Sequence, residues 1–122
     1  MRFVNPLPFV ADLERSRRFY EGVLGLRVTE AEGAVVIFEG GFAIHEGAAL
    51  HRTIFGQPPV EAGPWGRGNL VLYFEEPELE AAFARVSAAA EIIHGIEVQA
   101  WGQRVFRCRD PDGHIVEIGE PE

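Results

Sequence analysis

Halfway along the 122-residue chain the succession of strand and helix signals starts again. Residues 3–10 read as a strand broken by Pro6 and Pro8, which suits a sheet edge or a barrel rim. Asp12 is a good N-cap and Glu14 suits the positive end of a helix, in which Leu13, Ser16, Phe19, Tyr20, Val23 and Leu24 recur at helical spacing before Gly25. Three short strands follow, over residues 26–30, 35–39 and 42–46, with Glu32-Gly33 and Gly40-Gly41 turns between them. The same order returns at Asn69. Residues 69–75 read as a strand, Pro77 sits at the first turn of a helix carried by Leu79, Ala82, Phe83, Val86 and Ala90, and strands are expected over 92–99, 104–109 and 115–118.

Individual residues follow the repeat. Adding 64 takes Asn5 to Asn69, Phe9 to Tyr73, Asp12 to Glu76, Glu14 to Glu78 and Phe19 to Phe83. At the ends of the units the offset is 72 and lays residues 42–47 over 114–119, with His45 over Glu117. The added residues fall in the turn at 110–113, where Pro111 presets φ and Gly113 supplies a positive φ. Chance similarity between two short amphipathic units is the bland alternative, but a repeated order of elements is harder to dismiss than residue matches. The fold expected is α+β: two βαβββ modules related by a pseudo-twofold axis, forming a cup-shaped mixed sheet. The boundaries are about 1–47 for the first module, 48–68 for a connecting loop and 69–120 for the second, within a single domain over 1–122. The connection is rich in Gly and Pro, holds Phe55 and Trp65 and shows no sustained period, so it reads as a long loop.

The repeat also gives single residues a meaning. Strand side chains alternate faces, so Asn5 shares a face with Leu7 and Phe9, Asn69 with Val71 and Tyr73, His45 with Ala43, and Glu117 with Ile115. The opposite faces, such as Leu70, Leu72 and Phe74, are bulky and apolar and suit packing on helices. Glu117 is an acid out of place on a short aliphatic strand. Either the strand lies at an edge with Glu117 in water, or Glu117 looks into a pocket, and its equivalence to Asn5, His45 and Asn69 favours the pocket.

Composition narrows the class. An apolar fraction of 47% with 25% charged residues excludes a disordered or fibrous chain. A formal net charge of -8 repels nucleic-acid phosphate and anionic lipid, so neither is expected as a partner. A single cysteine, Cys108, forms no internal disulfide and fits a reducing cytoplasm, and no apolar run approaches the roughly 18 residues of a spanning helix. Cys108 reads as a small buried residue, since no histidine is placed beside it. His51 reads as a solvent histidine of the loop, His94 as a surface residue, and His114 as bonded to the adjacent turn. A domain this small leaves much apolar surface exposed, which dimerisation would cover.

Residues 12–16 (Asp-Leu-Glu-Arg-Ser), Phe19-Tyr20, Leu24-Gly25-Leu26 and the closing Asp110-Pro111-Asp112-Gly113-His114 with Glu117 together resemble the vicinal oxygen chelate superfamily. Its members include glyoxalase I, bleomycin resistance proteins, fosfomycin resistance enzymes and extradiol dioxygenases. The resemblance covers essentially the whole chain and is specific for fold rather than activity. It implies a U-shaped cup, often completed across a homodimer, and in metal-dependent members ligands from the first and last strand of each module. It puts a ligand at Glu117 and allows one at His45, whereas Asn5 and Asn69 stand where His or Gln is usual. An asparagine oxygen suits calcium but holds zinc, nickel or ferrous iron poorly.

The expectation is therefore a glyoxalase- or bleomycin-resistance-like protein that binds a small organic molecule, with a degenerate metal site. Asn5, Leu7, Phe9, Asn69, Val71, Tyr73, Trp101 and Ile115 would line the site, while His45 and Glu117 would carry any proton transfer. No cofactor is required by this reading, a divalent metal through His45 and Glu117 being the alternative. The rival functions are a metal-dependent lyase or dioxygenase-like enzyme and a protein-interaction module whose cup is filled by its own side chains. A cytoplasmic homodimer is expected in each case.

Overall fold

Pro6 and Pro8 lack the N–H that a strand ladder needs, and in the computed structural model, which describes residues 1–122, the first strand is only β1, Phe9–Val10. The strand expected over residues 3–10 is thus cut to its last two residues. The chain divides into two compact units, Met1–Trp65 and Gly66–Glu122.

In the first unit Asp12 caps α1, Leu13–Arg17, its carboxylate accepting from the Arg15 backbone N–H at 3.0 Å. The helix then widens into a π turn over Arg18–Val23, in which the Leu24 N–H donates to the Phe19 carbonyl at 3.0 Å. Phe19 and Tyr20 are both buried there. Strands β2 (Val28–Glu32), β3 (Val35–Phe38) and β4 (Phe42–Glu46) complete a sheet of order β1-β4-β3-β2, with β1 parallel to β4 and the other pairs antiparallel. The Tyr20 ring lies 4.9 Å from Phe42 and 6.0 Å from Phe38, and these two stack at 5.5 Å. This aromatic cluster, with buried Val10, Val36 and Ile44, is the core of the unit.

The expected loop over residues 48–68 is corrected at its start, because Gly47–Phe55 forms helix α2. Ala48, Ala49 and Leu50 are strong helix formers, and Gly56 ends the helix in the left-handed region at φ 79°. Gly47 obscures the helical signal for a packing reason. A Cβ there would overlap the indole of Trp65, which packs edge-on against Phe9 at 5.0 Å. Trp65 therefore anchors the returning chain to β1.

The second unit contains β5 (Val71–Glu75), α3 (Leu79–Ser87), β6 (Glu91–Val98), β7 (Arg104–Arg109) and β8 (Ile115–Gly119). Its sheet order, β5-β8-β7-β6 with β5 parallel to β8, is that of the first unit. Pro77 precedes the helix instead of occupying its first turn, and Glu76 Oε2 accepts from the Glu78 N–H at 3.0 Å. Phe83 of α3 packs edge-on against Phe106 at 5.1 Å, on the sheet face where Leu72, Cys108, Val116 and Ile118 are buried. Arg104 on β7 bonds Glu80 of α3 and, at 3.1 Å, Glu120 beyond β8.

The repeat is realised in the pairing. Phe9 pairs with His45 across β1 and β4, and Tyr73 with Glu117 across β5 and β8. These are the residues that the offsets of 64 and 72 equate. The edge-strand reading of Glu117 fails, because β8 lies between β5 and β7.

The turn between β7 and β8 is a buried polar knot. Asp110 Oδ1 accepts from the N–H groups of Asp112 and His114, both at 2.9 Å, and Gly113 adopts φ 85°. Gly66 N–H donates to the Asp112 carbonyl at 3.0 Å, and a Cβ on Gly66 would overlap the Gly113 backbone. Asp110→Ala removes the carboxylate that accepts from two buried N–H groups and should lower unfolding free energy by about 2–4 kcal/mol in urea titration. Gly66→Ala should cost about 1–3 kcal/mol by overpacking, and an unchanged denaturation midpoint in both variants would contradict this account of the turn.

Cys108 is fully buried, and desolvation, with Asp110 nearby, pushes its thiol up to about 12 from an ordinary 9.0. A neutral thiol is thus favoured by folding: its contribution is complete below pH 9.0 and is lost as pH rises toward about 12. A thiol-specific disulfide reagent at pH 8 should leave the native protein unmodified and react with one equivalent after denaturation; rapid reaction of the native protein would contradict the burial.

Candidate functional site

On the sheet face of the second unit opposite α3, four side chains stand in register across all four strands. Tyr73 pairs with Glu117, Glu117 with Arg107, and Arg107 with His94. Adjacent strands lie about 4.8 Å apart, so such a row places neighbouring side chains within hydrogen-bond reach. Arg107 is its centre. Its Nε and Nη2 reach Glu117 Oε1 at 2.8 and 2.7 Å, its Nη1 meets His94 Nε2 at 2.9 Å, and its Nη2 donates to Gln99 Oε1 at 3.2 Å. The Glu117 and Arg107 side chains are 14% and 24% exposed, so the pair is partly withdrawn from water and its attraction is screened less than on an open surface.

The neighbours fix the protonation pattern. A guanidinium only donates, so His94 Nε2 must carry a lone pair. Nδ1 then holds the proton and donates to the Gly95 carbonyl at 2.7 Å, with Glu97 Oε2 at 3.6 Å. Tyr73 Oη donates to Glu75 Oε2 at 2.9 Å and accepts from Gln103 Nε2 at 2.7 Å. Desolvation, with the Glu75 carboxylate beside it, raises the phenol above its ordinary 10.0 against a lowering by the Gln103 amide. Tyr73 is therefore a neutral phenol at physiological pH.

Buried Gln103 extends the network to the end of the sheet. Its Oε1 accepts from Trp101 Nε1 at 2.8 Å, and its Nε2 also donates to the Glu120 carbonyl at 2.7 Å. Gly119 makes room for it, since a Cβ there would lie 2.7 Å from Gln103 Nε2. A cleft of about 240 Å³ opens beside Trp101, Gln103 and Glu120. That is below the roughly 300–1,000 Å³ of typical small-molecule pockets.

In the first unit the corresponding row is Phe9, His45, Val35 and Glu32, with His45 between Phe9 and Val35. His45 Nδ1 is 3.0 Å from the Glu46 carbonyl and must donate to it, so in the neutral ring Nε2 carries the lone pair. His51 is on α2 and not in a loop; its Nδ1 meets the Gln57 carbonyl at 2.9 Å and its ring lies 4.6 Å from Phe55.

The sequence-predicted lining residues scatter around these rows. Val71, Tyr73 and Ile115 stand with Glu117 on the β5 and β8 face, the first two nearly half exposed. Leu7 and Trp101 are exposed, and Phe9 is covered by Trp65. Asn5 and Asn69 lie outside the strands: Asn5 Nδ2 donates to the Pro6 carbonyl at 2.8 Å, and Asn69 precedes β5. His94, read as a surface residue, is half-buried in the Arg107 network, and Arg107, Gln99 and Gln103 carried no individual signal. The missed clue was Arg107 itself, alternating with Val105 and Arg109 on the strand that pairs with the Glu117 strand.

A divalent cation needs anionic ligands or unspent lone pairs. In the second unit Glu117 Oε1 and His94 Nε2 are both engaged by a fixed positive charge, which repels another. No group of three or more His, Cys, Asp or Glu side chains gathers to hold a metal. The donor set around Glu117 therefore does not fit a divalent metal. Lysine is absent from the sequence, so no side-chain amine is available for Schiff-base chemistry.

The family model for the glyoxalase-like domain matches residues 3–122. A crystal structure of a protein of unknown function from Agrobacterium tumefaciens is 52% identical, with TM-score 0.94, over 100% of this chain and 95% of that one. A glyoxalase/bleomycin resistance protein/dioxygenase from Nocardioides is 25% identical, with TM-score 0.73, over 98% of this chain and 83% of that one. A lactoylglutathione lyase from Agrobacterium tumefaciens, 24% identical with TM-score 0.70 over 98% and 92% of the two chains, shares the fold. Among curated proteins no sequence matches. Two similar βαβββ units with these matches place the chain in the glyoxalase-like domain family of the vicinal oxygen chelate superfamily.

Proposed function

We propose that the protein binds a small organic molecule on the Glu117 face of the second unit's sheet, without a divalent metal at Glu117. The observation that carries this reading is the division of labour between the two carboxylate oxygens. Oε1 is held by Arg107, while no hydrogen bond from the chain reaches Oε2. A charged acceptor in a half-buried position, with Val71, Tyr73 and Ile115 beside it, suits a ligand with one hydrogen-bond donor and an apolar body. The protein is read as a cytoplasmic homodimer, on its single cysteine and its small size.

The test is a thermal-shift screen of amines, aldehydes, thiols and small amides, followed by calorimetry of each hit on the wild type and on Glu117→Gln. Losing a charged acceptor costs about 1.5–3 kcal/mol, so affinity should weaken at least about tenfold, measured below the melting temperature of the variant, which loses the Arg107 ion pair and should melt lower. Hits that bind both proteins equally would place the ligand elsewhere. Stoichiometric transition metal in protein purified without chelator, lost in Glu117→Gln, would favour a metal-dependent lyase or dioxygenase-like enzyme instead.

A further inference from the structure

We propose that the Arg107 guanidinium is the resident cation of this site, occupying the position among His94, Gln99 and Glu117 that a divalent metal would need and excluding one by its charge. The inference rests on the metal-independent reading of Glu117 and supplies its cause. Three acceptors of different chemistry converge on one positive group: an imidazole nitrogen at 2.9 Å, an amide oxygen at 3.2 Å and a carboxylate oxygen at 2.7 and 2.8 Å. They come from separate places in the fold, His94 on β6, Gln99 just beyond it and Glu117 on β8, with Arg107 on β7 between them.

The second layer has the same character. His94 is oriented by its Nδ1 bond to the Gly95 carbonyl, with Glu97 on the same side, so that Nε2 faces the cation. A histidine so oriented by a backbone carbonyl is how metal-binding imidazoles are held. Here the charge is tethered to the chain. Its planar fork serves the three acceptors at once, which a single ammonium would not do with the same geometry. Without the guanidinium, one nitrogen and two oxygen acceptors would face a common space with no positive charge among them.

Zinc chloride alone is the probe. Arg107→Met keeps an unbranched side chain but removes the cation, and it should bind zinc at least tenfold more tightly than the wild type in calorimetry, with a zinc-dependent rise in melting temperature. The gain should vanish when Glu117→Gln or His94→Gln is added. Binding at His45, His51 or His114 is common to every variant and cancels in the comparison. A folded Arg107→Met protein that gains no zinc affinity overturns this inference alone, leaving ligand binding at Glu117 intact. Wild-type protein that takes zinc through Glu117 overturns both readings. Arg107→Gln, titrated in the same way, serves if the methionine variant does not fold. Independently of any variant, the imidazole nitrogen signals of wild-type His94 should show a neutral ring protonated at Nδ1; an imidazolium at neutral pH, or a proton on Nε2, overturns the proposal.

Discussion

Each unit of this protein depends on a parallel pairing between its first strand and its last. Parallel neighbours cannot be joined by a tight turn, so the chain must cross over through a helix and lay down two antiparallel strands before it returns. The return forces the last strand into the interior of the sheet, with the first strand on one side and the third on the other. His45 and Glu117 consequently sit on central strands although each lies near the end of its module. Prolines in the first strand of the first unit leave only two paired residues, yet the topology survives, because β4 is held on its other side by β3.

Glu117 is governed by its strand neighbours more than by burial. An unpaired carboxylate at this depth would be costly, and Arg107 offsets that cost from the adjacent strand. The same contact changes what the carboxylate offers. A free, desolvated acid draws cations, whereas an acid already joined to a guanidinium is close to neutral as a pair and presents one oxygen as a hydrogen-bond acceptor. The acidic charge of the whole chain thus says little about the charge preferred at this point of the sheet.

Much of this architecture was legible in the sequence because repetition compares the chain with itself. The offsets that equate Phe9 with Tyr73 and His45 with Glu117 pick out residues that pair across equivalent strands. Strand alternation identified Glu117, Tyr73 and Ile115 as sharing a face. The same reasoning failed where a residue's role is set by a partner distant in the chain. Arg107 and His94 look ordinary until β6, β7 and β8 are in register, and His94 then sits 13 positions from the guanidinium it meets. Helix α2 was hidden differently: Gly47 and Gly56 look like loop residues, but one makes space for Trp65 and the other terminates the helix.

The hold of Arg107 on Glu117 also has an entropic side. A glutamate on an open strand samples several rotamers, and a ligand that binds it must freeze them, at about 0.5–1.5 kcal/mol for a flexible side chain. With Oε1 held by the Nε–H and the adjacent charge of a guanidinium that is itself bonded to His94 and Gln99, that loss has already been met during folding. The free oxygen is presented in one orientation before any molecule arrives, so shape and direction, more than charge, decide what can settle against it.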